Sequence, residues 1–191
     1  MLRVLVRLVV VAVLLAAAFA VLSYTGLLVP VAADRSSSMA PSIPVCDGRA
    51  LAEGFTYKFR DPRRGETVAI HASSAPGGRV TPDPDARDLV LMKRVVGVPG
   101  DQVLVRAGSV FVNGVKIDDI TTEPFPKAEL LGDQYFVLDD NRSFAKDSRD
   151  FGPVLRDAIF GRVFLVFWPL RDIGSPESRR PGPPPGQVRC D

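Results

Sequence analysis

Histidine is nearly absent from this 191-residue chain, which has His71 alone, and cysteine occurs only twice, at Cys46 and Cys190. A histidine-based zinc site needs more than one imidazole, and two thiols near opposite ends of the soluble part define neither a metal site nor a disulfide framework. Metal catalysis is therefore disfavoured, and nothing calls for a cofactor. Charge of one sign is scarce as well: 24 Lys and Arg against 22 Asp and Glu leave a net charge of +2. No basic run is interleaved with aromatics, which argues against nucleic acid as a partner. Beyond Pro44 no helical 3.6-residue pattern of any length occurs, and no internal repeat.

Long apolar runs are confined to the N-terminus. Arg3 and Arg7 precede an unbroken apolar run from Leu8 to Leu22, and after Ser23–Gly26 the apolar character resumes from Leu27 to Ala33. A bilayer core takes about 20 mostly apolar residues as a helix, which Leu8 to about Leu28 supplies. A cleavable leader has a shorter run before small residues, and Val31-Ala32-Ala33 fits that alternative. The length favours an uncleaved anchor. Basic residues favour the cytoplasmic side, so the expected topology is single-pass in the plasma membrane with a cytoplasmic N-terminus and a domain on the outer face. The chain divides into tip and anchor (1–33), one domain (34–170) and a Pro-rich tail (171–191) with too few apolar residues to pack.

In the domain, short runs rich in Val, Ile, Leu and Phe are bounded by Gly, Pro and Asp: "TVAIHA", "LVLMKRVVG", "QVLVRAGSVFVNG", "YFVLD" and "GRVFLVFW". These read as strands. Asn113-Gly114 between two such runs predicts a type I′ hairpin. The only helix-like piece is short, around Pro41 to Leu51. The expected fold class is mostly β, with one N-terminal transmembrane helix.

Three segments offer chemistry. "DRSSSMAPSIP", Asp34 to Pro44, presents serine hydroxyls beside a proline that would rigidify the turn. A serine nucleophile needs a base. His71, in an alternating strand, is the only imidazole, and a surface or structural role is its plainer explanation. A lysine serves instead if burial keeps it neutral. Lys93 in "LVLMKRVVGVPGD" is the lysine with apolar neighbours, sharing a strand face with Leu91 and Val95 while Arg94 points the other way. By itself it reads rather as a strand lysine that snorkels. The third segment, Val137 to Gly152, crowds Asp139, Asp140, Arg142, Lys146, Asp147, Arg149 and Asp150 into one turn. Alone, that is a self-neutralising solvated loop.

Together these segments resemble the ordered boxes of the bacterial type I signal peptidases, membrane-anchored Ser–Lys proteases. The first box, S-x-S-M-x-P-[TS]-[LI], is matched by Ser36 to Ile43. The second, approximately R-G-D-[VI]-V, appears as Arg64-Gly65-Glu66-Thr67-Val68, and the third, K-R-V-[VI]-G-x-P-G-D, as Lys93 to Asp101. The last is met by Asp140, Asn141, Asp147, Ser148, Arg149 and Gly152. The resemblance implies a signal-peptidase-like (LexA-type) β-fold that cuts signal peptides from exported preproteins after Ala-x-Ala, acting as a monomer. It implies Ser38 as nucleophile, Lys93 as general base, and an oxyanion hole from the Ser38 backbone N–H and the Ser36 hydroxyl. Met39, Ile43, Leu91 and Met92 would line pockets for small side chains. The substrate would lie extended along an exposed strand. Arg94 with Asp140, and Asp147 with Arg149, would be supporting ion pairs, with Ser148 beside them. The stretch from Gln102 to Gln134 is short for this family and suggests one hairpin as a cap.

Two departures stand out. The family's lysine-orienting serine aligns with Ala145, and Asp139 stands where the family has glycine. A carboxylate close to Lys93 would favour its charged form, so Asp139 is expected to point away, toward Arg142. The alternatives are a conjugation-type maturation peptidase of the same superfamily, a LexA-type self-cleaving protein, and a catalytically impaired, membrane-tethered binding module.

Overall fold

The computed structural model describes residues 2–25, 27–32, 38–71, 90–118, 124–142 and 146–179. Helix α1, Leu2–Tyr24, has 23 residues, and an 18-residue stretch of it has a mean hydropathy of 2.9. At 1.5 Å per residue it is about 34 Å long, enough to span a bilayer core. None of its residues is buried by the rest of the chain. It ends before the expected Leu28: the Thr25 hydroxyl donates to the carbonyls of Val21 and Leu22 at 3.0 Å. The apolar stretch that follows is strand β1, Leu28–Ala32. Pro30 lacks an N–H, which an edge strand tolerates, and β1 is the edge of its sheet.

Strand β1 pairs antiparallel with β2, Arg49–Glu53, with Leu28 opposite Glu53 and Ala32 opposite Arg49. The next strands are β3 (Thr67–His71), β4 (Val90–Gly97), β5 (Gln102–Arg106), β6 (Ser109–Val112), β7 (Val115–Asp118) and β8 (Phe125–Glu129). Then come β9 (Gln134–Leu138), the short helix α2 (Ser148–Phe151), β10 (Val154–Leu155) and β11 (Ile159–Trp168). One sheet has seven strands in the order β1-β2-β11-β3-β4-β9-β10, the other four in the order β7-β6-β5-β8. The mostly β class expected from the strand-like runs is what forms.

Three local expectations are corrected. Pro41 to Leu51 holds turns and the start of β2 rather than a helix, because Pro41 and Pro44 withhold two N–H donors that a helix needs. The cap is a four-stranded sheet rather than one hairpin: "QVLVRAGSVFVNG" breaks at Ala107-Gly108, both at positive φ (48° and 74°). Asn113-Gly114 makes the second such turn, at 53° and 79°, as its sequence predicts. Ala-Gly lacks the Asn or Asp that flags a left-handed pair. Finally, residues 171–179, expected to belong to a loose tail, are ordered: Val166 and Gly174 bridge, and 3-10 turns form at Leu170–Asp172 and Pro176–Ser178.

Strand β4 joins all three apolar clusters. Met92 packs with Met39, Ile43, Ala50 and Val163. Val95 belongs with Val68, Ile70 and Val137, and Val96 with Val103, Leu130 and Phe136. Each such fully buried side chain stabilises by about 1.5–3 kcal/mol. The strand's last residue, Gly97, leaves no room for a side chain: a Cβ there would lie 2.6 Å from both Leu130 and Val103 side-chain atoms. Lys93 and Arg94, between Met92 and Val95, are thereby held where the clusters meet.

Candidate active site

Two polar side chains in a row on β4 are buried, and each has a carboxylate to meet it. Lys93 is 4% exposed, and its Nζ donates to Asp139 Oδ1 at 2.6 Å and Oδ2 at 2.7 Å. Arg94 donates from Nε and Nη2 to the two Asp140 oxygens, each at 2.6 Å. It also reaches the Gly65 carbonyl at 2.6 Å, the Ser42 hydroxyl at 3.1 Å and the Pro176 carbonyl at 3.2 Å. The two side chains leave the strand on opposite faces and meet consecutive residues of the turn after β9. That turn makes a third contact: the Asn141 N–H donates to the Ser38 carbonyl at 2.8 Å. Residues 139–141 therefore tie Lys93, Arg94 and the half-buried Ser38 to one short piece of backbone. Among the described residues the Ser38 hydroxyl makes no hydrogen bond to Lys93.

The turn is fixed from behind. The Asp139 N–H donates to Asp147 Oδ2 at 3.1 Å. Asp147 caps α2, accepting from the Arg149 N–H, while Asp150 accepts from the Asp147 N–H. The Arg149 guanidinium binds both Asp147 oxygens at 2.8–2.9 Å, and the Ser148 hydroxyl accepts from the Val137 N–H at 2.9 Å. The expected pairs Arg94–Asp140 and Asp147–Arg149 both form.

The expectation that Asp139 turns toward Arg142 is overturned, since its carboxylate chelates Lys93. The reason is placement. Arg94 pairs across the sheet with Leu138, so the next residue on β9's trailing end lies beside Lys93, and a buried ammonium takes the nearest carboxylate. Burial pushes the Asp139 carboxyl up to about 7; Lys93 pulls it down, while Asp147 and Asp140 push it further up.

The segment matching the second box is a polar hub rather than a lone acid. Glu66 accepts from Arg60 at 2.5 and 3.1 Å, from the Tyr57 hydroxyl at 3.1 Å and from the Arg63 N–H at 2.9 Å. Its main chain continues β4's ladder, with Val95 N–H donating to the Glu66 carbonyl at 2.9 Å. In the third segment Asp101 accepts from Arg64, from the Val98 N–H at 2.9 Å and from the Asn113 amide at 2.9 Å. The chain after β11 straps the assembly: Ser42 donates to the Arg179 carbonyl at 3.1 Å, and Arg162 pairs with Glu177 at 2.6 Å. Sequence reasoning gave Ser42 and residues 176–179 no part in this. A charge such as Glu177, paired from a segment with no apolar pattern, leaves no mark in a linear reading.

Of the expected pocket residues, Met39, Ile43 and Met92 share one buried cluster. Leu91 is half-buried and packs against the other face, with Val68 and Ile70, because successive strand residues alternate. Strand β4 is paired on both sides only from Arg94 onward: Val90 to Lys93 pair with His71 to Val68 of β3, whereas β9 begins opposite Arg94. Among the described residues, the other edge of Val90–Lys93 is open. His71 is exposed and stacks on Phe160 with ring centroids 4.3 Å apart. Cys46 is disulfide-bonded. Ser36, Ala145 and Cys190 lie outside the described residues. Among the described residues no group of His, Cys, Asp or Glu could hold a metal ion.

The family described as signal peptidase, peptidase S26, matches residues 4–168. The chain is 38% identical over 144 residues to a probable signal peptidase I-2 of Synechocystis sp., a stretch covering 73% of this chain and 63% of that protein. It is thus similar to somewhat less than two thirds of that relative's length. It is 33% identical over 155 residues to a signal peptidase I of Leptolyngbya laminosa, covering 78% and 71%. To the signal peptidase IB of Staphylococcus aureus it is 31% identical over 162 residues, covering 72% and 77%.

Proposed function

The chain belongs to the signal peptidase S26 family, and on that premise we propose that it is a membrane-anchored serine endopeptidase that cuts signal peptides from exported preproteins, with Ser38 as nucleophile and Lys93 as base. The observation that carries this reading is the turn 139–141, which bonds to the Ser38 carbonyl and to the Lys93 amine at once. A serine and a lysine far apart in sequence are thereby joined to one support.

In the reaction, Ser38 Oγ attacks the scissile carbonyl as its proton passes to neutral Lys93, and the carbonyl π pair moves to oxygen. The oxyanion is assigned to the Ser38 N–H and, by the resemblance, to the Ser36 hydroxyl; such donors act by being fixed before the charge develops. As the C–N bond breaks, Lys93 passes its proton to the leaving amine; water, deprotonated by Lys93, then attacks the acyl carbon, and Lys93 returns that proton to Ser38 Oγ as the ester bond breaks. The open edge of Val90–Lys93 supports binding of an extended substrate by strand addition, which would lay the scissile bond beside Lys93. Met39, Ile43 and Met92 on one side of the strand and Leu91 on the other suit small residues of the Ala-x-Ala kind. Helix α1, with Arg3 and Arg7 at its start, supports a cytoplasmic N-terminus and a catalytic domain on the outer face of the plasma membrane. The protein acts as a monomer, with preproteins and membrane lipid as its partners.

A second reading, a tethered binding module without activity, draws on the carboxylate that occupies Lys93. One experiment separates the two. Full-length protein in detergent is incubated with a preprotein, alongside Ser38→Ala, Lys93→Met and His71→Ala. Wild type and His71→Ala cleave, and the other two do not. Loss of activity in His71→Ala alone would return a Ser–His arrangement, and a wild type inert toward every preprotein would favour the binding module.

A further inference from the structure

Lys93 has a dedicated carboxylate, and the turn that carries it also holds the nucleophile's loop. We infer that Asp139 is the positioning residue of the base, making the working unit Ser38–Lys93–Asp139, and that it moves the enzyme's activity toward alkaline pH. This rests on the Ser38–Lys93 reading above.

The geometry is specific. Both Asp139 oxygens accept from Nζ, at 2.6 and 2.7 Å, and neither residue is open to bulk water. A lysine amine on four rotatable bonds has many rotamers, and two acceptors at one end select among them. Position 145 is alanine and carries no hydroxyl for the task. Asp139 is itself immobilised through its N–H to Asp147, which Arg149 and the α2 cap hold in turn. Two residues further on, the Asn141 N–H holds the Ser38 carbonyl. A base oriented by a third group is the general form of such nucleophile sites.

The proton count gives the consequence. With one proton in the Lys93–Asp139 pair, the amine has no lone pair free for Ser38. Once that proton leaves, Lys93 is neutral and Asp139 ionised. Lys93 then accepts the Ser38 proton, and the ammonium formed is stabilised by the carboxylate until the proton goes to the leaving amine. Asp139 never takes the proton, and no co-reactant is required. The charged groups facing Asp139 are Lys93 from β4, Asp147 and Arg149 from the α2 turn, and Asp140 on its own turn, engaged by Arg94. The carboxylate at 2.6 and 2.7 Å is thus the group whose removal the pH dependence of cleavage would register.

The test uses full-length protein in detergent and a preprotein. In Asp139→Asn the midpoint of the rising limb of kcat against pH moves down by about 1–3 pH units. The alkaline plateau falls about tenfold or more, because the ammonium loses its counter-charge, while KM is unchanged. A merely structural role would lower kcat at every pH with the midpoint in place; that outcome overturns the proposal. The proton is also followed without catalysis, by NMR of 13Cε-lysine protein carrying Ser38→Ala, with the Lys93 signal assigned from its loss in Lys93→Met. A titration midpoint that drops on Asp139→Asn supports the proposal, and one that does not move overturns it. This readout stands even if the cleavage reading fails.

Discussion

Replacing Arg94 by methionine tests whether the buried ion pair on β4 carries the domain. Asp140 is fully buried, and among the described residues its side-chain hydrogen bonds all come from Arg94. Arg94→Met therefore strands an ionised carboxylate in the interior, a change that costs about 3–5 kcal/mol. The Gly65, Ser42 and Pro176 acceptors lose a donor as well, at up to about 1 kcal/mol each. These terms overlap, so the expected loss is about 4 kcal/mol, a large share of the 5–15 kcal/mol typical of a domain. With a urea slope of about 2 kcal/mol per molar, the unfolding midpoint drops by about 2 M. The chain's one tryptophan, Trp168 on β11, reports this by fluorescence while the micelle holds α1. The decisive comparison is the pair Arg94→Met/Asp140→Leu. Removing both charges removes the stranded carboxylate, so the double variant should be more stable than Arg94→Met alone. A drop under about 0.5 M for Arg94→Met, or a double variant as unstable as the two single losses summed, would refute the argument.

Two further predictions concern the loop of Ser38 and the response to pH. In Gly48→Ala the new Cβ would sit 2.3 Å from the Pro44 carbonyl oxygen and 2.8 Å from Ile43 Cγ2. Backbone must move, at about 1–3 kcal/mol, and both the urea midpoint and preprotein cleavage should fall; an unaltered urea midpoint would show that the 43–48 turn is looser than drawn. For pH, Glu66 and Asp101 are both held below the ordinary carboxylate range. Burial raises each, but Arg60, the Arg63 N–H and Tyr57 outweigh it at Glu66, and Arg64, the Val98 N–H and Asn113 do so at Asp101. Their contribution is present above the unfolded value of about 4 and is lost as pH falls through the folded values. Asp139 has the opposite sign, its contribution full below about 4 and lost as pH rises through about 7. The urea midpoint should therefore be higher at pH 5 than at pH 8, with Asp139→Asn abolishing that difference; equal wild-type midpoints would refute the assignment.

Much of the architecture was legible in the chain. Strand-length runs of Val, Ile and Phe cannot bury one face except in a sheet, and Asn113-Gly114 accepts the left-handed pair that a tight hairpin demands. Arg94–Asp140 and Asp147–Arg149 are pairs that the resemblance implied, and both form. Less legible were features with no periodic signal. Ala107-Gly108 turns the chain without the usual Asn or Asp, Leu28–Ala32 looks like the end of a membrane span yet is an edge strand, and residues 171–179 bind through carbonyls and one glutamate.

The sequence by itself determined the β class and the apolar N-terminal helix, local matters decided by the period and length of the apolar runs. The choice of Ser38 and Lys93 came from the resemblance of the ordered boxes to those of a known family. Only the tertiary structure decided what Asp139 does. From sequence a carboxylate beside the base looked harmful, and aiming it at Arg142 was the mildest assumption. Pairing Arg94 with Leu138 across two strands brings the next turn onto Lys93. A buried ammonium with no water to solvate it takes the carboxylate that cross-strand register delivers, whatever stands near it along the chain.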